Sequence, residues 1–208
     1  MTEASARRGL FFVLSGPAGV GKNSVMNRLR EHEPDVHFAV TATTRDPRPG
    51  EREGVDYYFK SQAALRGLLE RGELLEHATV HGRLYGVPLD PIREALGRGA
   101  DVFVQVDVQG MRTIRRRIPA AVTLFLYVPK LEDLADRLQQ RATESPDELA
   151  RRLATAVDEI DQLAEFDYAV PNPQGELEQA VADVQAIIRA ERRRARPRLA
   201  EIDPDDRA

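Results

Sequence analysis

Apolar residues along this 208-residue chain follow two patterns that alternate from one end to the other. Short continuous apolar runs predict buried strands at residues 10–14, 101–106, 122–128 and 166–170. Apolar positions three and four residues apart predict helices, the first burying Val25, Met26 and Leu29 and the others lying at 62–71, 91–96, 110–117, 131–138, 148–164 and 177–191. Because strands and helices alternate, the pattern predicts an α/β fold in which helices cover a parallel sheet.

Residues 39–87 differ from the rest of the chain, because they are rich in short strands and poor in long helices. Around them we expect an extended run at 37–43, a loop rich in proline, arginine and glycine at 46–54, and a short aromatic strand at 57–59. Two further strands, at 74–80 and 83–85, are expected to flank a His81-Gly82 turn. We interpret residues 39–87 as an insertion into the α/β core.

Two further segments stand outside the alternation. Residues 143–147 interrupt the helical spacing. From residue 192 onward several arginines precede an acidic stretch at 203–206. Basic residues are favoured at the C-terminus of a helix, so we interpret this tail as a solvated helix end and a frayed terminus rather than as a binding patch.

Composition narrows the classes of function. The net charge of −4 argues against general nucleic-acid binding, which needs a basic face. The absence of cysteine excludes disulfides, thiolate metal sites and a cysteine nucleophile. No apolar run approaches transmembrane length, and the first residues do not read as a signal peptide. We therefore expect a cytoplasmic protein without membrane or nucleic-acid partners, whereas the oligomeric state is not indicated.

A glycine-rich loop with one lysine follows the first predicted strand and precedes the first predicted helix. Strand, glycine loop with lysine, and helix together indicate a phosphate-binding loop, in which backbone N–H groups and the helix N-terminus bind a polyphosphate. The candidate residues are Gly16, Pro17, Ala18, Gly19, Val20, Gly21, Lys22, Asn23 and Ser24. Asn23 stands where a hydroxyl normally contacts Mg²⁺, which leaves Ser24 as the candidate metal ligand.

Four other residues are candidates for binding, each with an alternative interpretation. Arg45 and Arg48 lie in a proline-rich loop, where paired guanidinium groups suit a second phosphate, although surface arginines are more often solvated. Glu76 by itself is most simply a solvated strand residue. Asp107 follows a buried strand at the sheet edge where α/β proteins bind ligands, and it is also placed to cap the next helix.

Three motifs that follow GPAGVGK carry a family resemblance: TATTRDPRPGEREGVDYYF, GELLEHATVHGRLYG and VFVQVDVQG. In this order and spacing they resemble guanylate kinase, and the resemblance extends over residues 10–191. It implies a three-layer fold with a central parallel sheet, an inserted nucleoside-monophosphate-binding subdomain and a helical lid. It also implies one domain over residues 1–208, with its core at 9–38, 88–136 and 153–191, the GMP-binding insertion at 39–87, the lid at 137–152 and the tail at 192–208.

The same resemblance implies Mg²⁺-dependent phosphoryl transfer from ATP to GMP. ATP would bind the glycine loop and Asn172, and the metal would be held by Ser24 and Asp107. The residues that correspond to GMP contacts are Thr41, Arg45, Arg48, Tyr57, Glu76, Tyr85, Gly86 and Asp107. Those that correspond to catalytic residues are Lys22, Arg45 and the lid arginines Arg137, Arg141 and Arg152. For the lid arginines a solvated helix face, or ion pairs with the nearby acidic residues, is the alternative.

Glu76 is the residue that would select guanine. Guanine presents two adjacent donors, N1–H and the 2-amino group, and one carboxylate accepts both. Adenine has an acceptor at N1, which would leave the carboxylate unpaired. The resemblance therefore implies GMP rather than AMP as the acceptor, and leaves dGMP open.

Five positions depart from the family pattern: Asn23, Val87, Gln105, Ala142 and Pro173. They are compatible with a site that has lost activity, but GVDYYF, Gly-x-Pro after Tyr85 and GELEQAV resemble plant organellar guanylate kinases, which favours a working variant. The remaining alternatives are a non-catalytic module that binds a partner peptide and a kinase that acts on another phosphorylated small molecule.

Overall fold

The computed structural model describes residues 9–80, 82–140 and 146–202. The described helices are α1 (Lys22–His32), α2 (Gln62–Glu70), α3 (Asp90–Gly97), α4 (Val108–Arg117), α5 (Leu131–Gln140), α6 (Pro146–Ile160) and α7 (Leu177–Arg192), with a 3₁₀ turn at Leu163–Glu165. The strands are β1 (Phe11–Ser15), β2 (His37–Phe38), β3 (Ala42–Thr43), β4 (Tyr58–Phe59), β5 (Leu74–Val80), β6 (Arg83–Pro88), β7 (Val102–Gln105), β8 (Val122–Tyr127) and β9 (Tyr168–Pro171).

The larger sheet is parallel throughout, with five strands in the order β2-β7-β1-β8-β9. Its central strand β1 is fully buried. Phe12 and Leu14 face one hydrophobic cluster, whereas Phe11 and Val13 face another on the opposite side of the sheet. A strand buried on both faces reads as a continuous apolar run, which explains the sequence pattern. The predicted fold class, α/β with a central parallel sheet between helical layers, is confirmed.

A second sheet of four strands, in the order β4-β3-β6-β5, is formed by residues between Ala42 and Pro88. It has its own small cluster of buried residues, Ala42, Leu65 and Leu74. The proposed domain boundaries remain a prediction. The extended run expected over 37–43 contains two strands rather than one, because β2 pairs with β7 and β3 pairs with β6. The chain leaves the first sheet at Ala39, whose N–H donates to the Phe103 carbonyl, and then enters the second.

Other boundaries differ in ways that local pattern does not indicate. The helix expected at 148–164 spans Pro146–Ile160 and is followed by the separate 3₁₀ turn. Its start agrees with the preference of proline for the first helical turn. Residues 143–145 of the expected break lie outside the described part of the chain. Strand β6 continues to Pro88, beyond the expected end at residue 85.

The tail after α7 is packed rather than frayed as far as it is described. Arg198 pairs with Asp167 at 3.0 Å, and the Ala200 N–H donates to the Gly9 carbonyl at 3.3 Å. Ala200 is 6% exposed and belongs to a core cluster. The expected frayed terminus was therefore wrong for residues 198–202, whereas residues 193–197 are exposed as expected for a solvated helix end. Residues 203–208 lie outside the description. Among the described helices, none combines the length and apolar character needed to cross a membrane.

Candidate functional site

The loop between β1 and α1 has a backbone that favours glycine at three points, because Gly16, Gly19 and Gly21 all have a positive φ. Gly16 has φ +137°, and a Cβ there would lie 2.1 Å from the Leu126 carbonyl oxygen. Gly21 has φ +97° at the N-cap of α1. The Lys22 ammonium donates to the carbonyls of Gly16 and, at 2.9 Å, Pro17. The lysine is thus folded back over its own loop at the N-terminus of a helix, which is the arrangement that binds polyphosphates.

Residues distant in sequence hold this loop from the other side. The Asn172 side-chain amide donates to the Val20 carbonyl at 2.7 Å, and Arg137 donates to the same oxygen at 3.1 Å. Arg137 also donates to the Asn172 carbonyl at 2.9 Å and to Gln174 at 2.9 Å. The start of the predicted lid and the end of β9 are therefore joined to the phosphate loop.

A cleft beside these contacts brings together several of the predicted ATP residues. It is lined by Gly19, Gly21, Ser24, Arg137, Asn172, Pro173, Gly175 and Leu177. Pro173, one of the departures from the family pattern, is thus part of the lining. Of the other loop residues, Gly16, Pro17 and Val20 are buried, and Ala18 is exposed.

A second cleft, of about 290 Å³, lies between the two sheets and contains most of the predicted GMP residues. Both Lys22 and Asn23 of α1 line it, so the two clefts meet at the phosphate loop. The predicted residues in its lining are Lys22, Asn23, Thr41, Tyr57, Glu76, Tyr85 and Asp107. Gly86 is buried in β6 opposite Ala42. This arrangement would place an acceptor and a donor phosphate on either side of one lysine.

The arginine loop is organised by Glu51, a residue that the sequence argument did not single out. Arg45 donates two bonds to the Glu51 carboxylate, at 2.8 and 2.9 Å, and the Arg48 N–H donates to it at 2.7 Å. The Arg45 guanidinium also lies over the Tyr57 ring, 5.2 Å from its centroid. Burial opposes ionisation of Glu51, but these hydrogen bonds outweigh it and lower the pKa of its carboxyl. The signal for Glu51 was its place six residues after Arg45 in the same rigid loop.

Carboxylates dominate the opposite wall of this cleft. Glu76 is 7% exposed, and burial together with the nearby Asp107 raises its pKa to about 7. One Asp107 oxygen accepts the Gly110 N–H at 2.7 Å, so the residue caps α4 as the alternative interpretation required. Glu159 of α6, also missed from sequence, has a raised pKa through burial and Asp107, whereas Lys22 acts to lower it. Burial and the charge of Asp107 therefore disfavour the ionised forms of Glu76 and Glu159.

Two of the departures from the family pattern bind each other. The Gln105 side-chain amide donates to the Asn23 side-chain oxygen at 2.7 Å, so an amide pair joins the end of β7 to the start of α1. Val87 is fully buried in a core cluster and does not line the cleft. Ala142 lies outside the described residues. Of the described departures, Asn23 and Gln105 therefore bind each other and Val87 is part of the core.

Not every predicted residue is brought to the clefts. Arg48 joins the site through its backbone N–H to Glu51 and is not among the cleft-lining residues. Arg152 is half-buried on α6. Arg141 lies outside the described residues. Arg45 is also not among the cleft-lining residues. The contacts of these four arginines with a nucleotide therefore stay predictions.

The residues proposed for Mg²⁺ offer oxygen ligands, which is the chemistry that this ion prefers. The exposed Asp107 carboxylate lines the cleft that contains Lys22, and the Ser24 hydroxyl belongs to a residue that lines the other. In the described ranges no group of three or more histidine, cysteine or acidic residues is arranged to hold a metal. This donor set fits an ion that is bound largely by nucleotide phosphates and water, with one or two protein oxygens.

Comparison with known proteins agrees with this geometry. The family model for guanylate kinase matches residues 8–191. The guanylate kinase of Gluconobacter oxydans (strain 621H) is 44% identical over 187 residues, which cover 89% of each chain. Guanylate kinase 2, chloroplastic/mitochondrial, of Oryza sativa subsp. japonica is 43% identical over 194 residues, which cover 93% of this chain and 68% of the rice protein. The crystal structure of guanylate kinase from Anaplasma phagocytophilum aligns with a TM-score of 0.73 at 29% identity, covering 92% of this chain and 89% of that one. The chain therefore belongs to the guanylate kinase family.

Proposed function

We propose that this protein is a guanylate kinase that transfers the γ-phosphoryl group of MgATP to GMP and releases ADP and GDP. The observation that carries the proposal is the position of Glu76, a buried carboxylate in the same cleft as the phosphate-loop lysine. Burial and the charge of Asp107 raise the pKa of Glu76. A buried carboxylate of this kind suits a ligand that donates two hydrogen bonds to it. The edge of guanine that carries N1–H and the 2-amino group is such a ligand.

The acceptor phosphate would bind at the other end of this cleft. Arg45 and Arg48 carry the charge for it, and the hydroxyl groups of Tyr57 and Tyr85 would complete its contacts. Arg45 is preset by Glu51, which reduces the entropy lost when the phosphate binds. Binding guanine and phosphate at opposite ends would direct one phosphate oxygen toward the loop that holds ATP.

Transfer requires positioning and charge stabilisation rather than a strong base, because the attacking phosphate oxygen is already anionic. Lys22 would leave its loop carbonyls and follow the moving phosphoryl group. Arg137 lies against the phosphate loop, and Arg141 and Arg152 would approach from the lid. Mg²⁺, held by the ATP phosphates with Ser24 and Asp107, would neutralise charge on those phosphates. Closure of both clefts would exclude water and prevent hydrolysis of ATP.

Three narrower points stay open within this proposal. The preference between GMP and dGMP depends on contacts to the ribose. Guanine O6 would be met by a main-chain group or another donor, because the Val87 side chain lies in the core. A cytoplasmic location stays a prediction from the sequence.

The test is ADP production by the purified protein with MgATP and GMP, beside AMP, CMP and UMP as acceptors. Turnover with GMP alone is expected. Turnover with another acceptor would assign the chain to a different kinase activity. ATP binding without turnover on any acceptor would favour a non-catalytic module. Removing Mg²⁺ with a chelator is expected to abolish turnover. The Gly16→Ala variant is the inactive control, because its added Cβ would collide with the Leu126 carbonyl oxygen beside the phosphate loop.

A further inference from the structure

Strand β5 begins at the boundary between two hydrophobic clusters. Leu74 packs in the small cluster of the second sheet, whereas the next residue, Leu75, packs in a cluster of the main core. Glu76 follows and lines the GMP-side cleft. The pairing register between β5 and β6 shifts between Leu74 and Glu76, which marks a β-bulge. A bulge re-aims the side chains that follow it, so this irregularity determines which face Glu76 occupies.

One arginine binds both residues at this bulge. Arg117, the last residue of α4, donates from the same guanidinium nitrogen to the Leu74 carbonyl at 2.8 Å and to the Leu75 carbonyl at 2.6 Å. Both of these residues are buried, at 1% and 0% exposure. A buried backbone carbonyl needs a donor, and a bulge interrupts the ladder that would supply one. Arg117 supplies it from outside the sheet.

The other end of α4 lies directly beside the Glu76 carboxyl. A Cβ on Gly110 would be only 3.2 Å from the Glu76 carboxyl carbon, so the absence of a side chain there allows this close approach. Asp107, which caps α4, acts through its charge on the same carboxyl. Helix α4 therefore contacts β5 at two places. Its last residue, Arg117, binds the bulge, and its third residue, Gly110, lies beside the Glu76 carboxyl.

We propose that Arg117 is a positioning residue for guanine recognition, which holds the β5 bulge so that the Glu76 carboxylate faces the cleft. The inference rests on the proposed function and deepens it, because Arg117 itself would not touch the nucleotide. We call the two hydrogen bonds from Arg117 to the Leu74 and Leu75 carbonyls the clamp. Without the clamp the bulge can relax or move along the strand, and a shift of one residue would turn Glu76 away from the guanine. The cost falls on GMP binding, while the ATP cleft across the phosphate loop is unaffected.

The test compares steady-state kinetics of Arg117→Met with those of Arg116→Met. Arg116 precedes it on the same helix, is exposed, and bonds to Thr113 within the helix. Arg117→Met is expected to raise the KM for GMP about tenfold or more while the KM for ATP changes by less than about twofold. Arg116→Met is expected to match the original protein. A KM for GMP in Arg117→Met that equals that of Arg116→Met would overturn the inference.

Arg117→Lys keeps the test decisive if the methionine variant does not fold. A single ammonium group reaches the carbonyls less well than a guanidinium, so a rise of about threefold in the KM for GMP is expected. An unchanged KM for GMP in a folded Arg117→Lys would count against the clamp. Thermal unfolding of each variant separates the two roles, since a purely structural brace would lower Tm and leave the ratio of the two KM values unchanged. A lack of GMP turnover in the original protein would instead overturn the proposed function, and this inference with it.

Discussion

We expect Glu76 to make recognition of GMP dependent on pH. Its pKa is raised to about 7 by burial and by Asp107, so in the free enzyme the carboxyl gains a proton as the pH falls through 7. The protonated acid presents a donor where guanine also presents donors. We therefore expect kcat/KM for GMP to fall about tenfold per pH unit below 7, whereas kcat/KM for ATP follows no such limb.

Glu76→Gln is the baseline for this profile, because the phosphate of GMP also titrates, with a second pKa of about 6. The variant is expected to lower kcat/KM for GMP about 100-fold at pH 8, since an amide cannot accept both guanine donors. It should retain the limb that belongs to the phosphate and lose the one near 7. Profiles of the same shape in both proteins would show that Glu76 is not the titrating group.

We expect Asn23 and Gln105 to be coupled in their effect on the free energy of unfolding. Their hydrogen bond of 2.7 Å links α1 to the end of β7 beside the cleft. Asn23→Ala, Gln105→Ala and the double variant form a double-mutant cycle. A coupling free energy of about 0.5–1 kcal/mol in urea unfolding is expected for a neutral hydrogen bond with partial exposure. Additive effects would show that the two departures are independent substitutions.

The elements that could be predicted are those specified by neighbouring residues. The strand, loop and helix at residues 11–32 follow from an apolar run, from glycines in conformations that other residues rarely adopt, and from helical spacing. The Asp107 cap was also readable, because the aspartate and the Gly110 N–H that it accepts lie three residues apart. Features of this kind can be predicted because the residues that specify them are close together in the sequence.

The elements and contacts that were missed depend on distant partners. Residues 37–43 divide between two sheets because Phe38 lies opposite Phe103 in the first sheet, whereas Ala42 lies opposite Gly86 in the second. The tail packs because of Asp167 and the Gly9 carbonyl, neither of which lies near it in sequence. In the site, the hydrogen bond from Arg137 to the Val20 carbonyl joins residues that are 117 positions apart in the sequence. Periodicity carries no information about pairs of this separation.

Arg192, the last residue of α7, joins this helix to the residue before β7 and to the end of α1, which leads to a prediction about stability. Arg192 donates to Asp101 at 2.6 Å and to Glu33 at 3.1 Å, and the Asp101 side chain is only 2% exposed. Removing the guanidinium would leave a buried carboxylate without this partner. Arg192→Met is expected to lower the free energy of unfolding by about 3 kcal/mol. The control is Arg189→Met on the exposed face of the same helix, with an expected change below about 0.5 kcal/mol.

Denaturant unfolding of both variants at pH 7 measures this difference. The Leu10 N–H still donates to Asp101 in Arg192→Met, so the protein is expected to fold with a lower midpoint rather than to lose its structure. Kinetic constants for GMP should not change, because neither Arg192 nor Asp101 lines either cleft. Equal stability of the two variants would mean that Arg192 contributes no more than a solvated surface residue.

At the scale of the whole molecule, we expect the two clefts to close on each other when transfer occurs. They meet at Lys22 and the start of α1, and their outer walls are the second sheet on one side and α5 with the end of β9 on the other. Because ATP must not react with water, both walls are expected to move inward only when donor and acceptor are bound. A compact chain of this length has a radius of gyration of about 17 Å, and we expect a decrease of several per cent on closure.

Small-angle scattering with a bisubstrate analogue that joins adenosine to guanosine through a polyphosphate would measure this change. The matched ligand joins two adenosines, and it is expected to bind the ATP side without full compaction, because its second base cannot satisfy Glu76. Glu76→Gln should reduce the difference between the two ligands. No decrease at saturation, with binding established by calorimetry, would mean that the clefts already have their catalytic arrangement. Exclusion of water would then have to come from the nucleotides themselves rather than from motion of the second sheet and the lid.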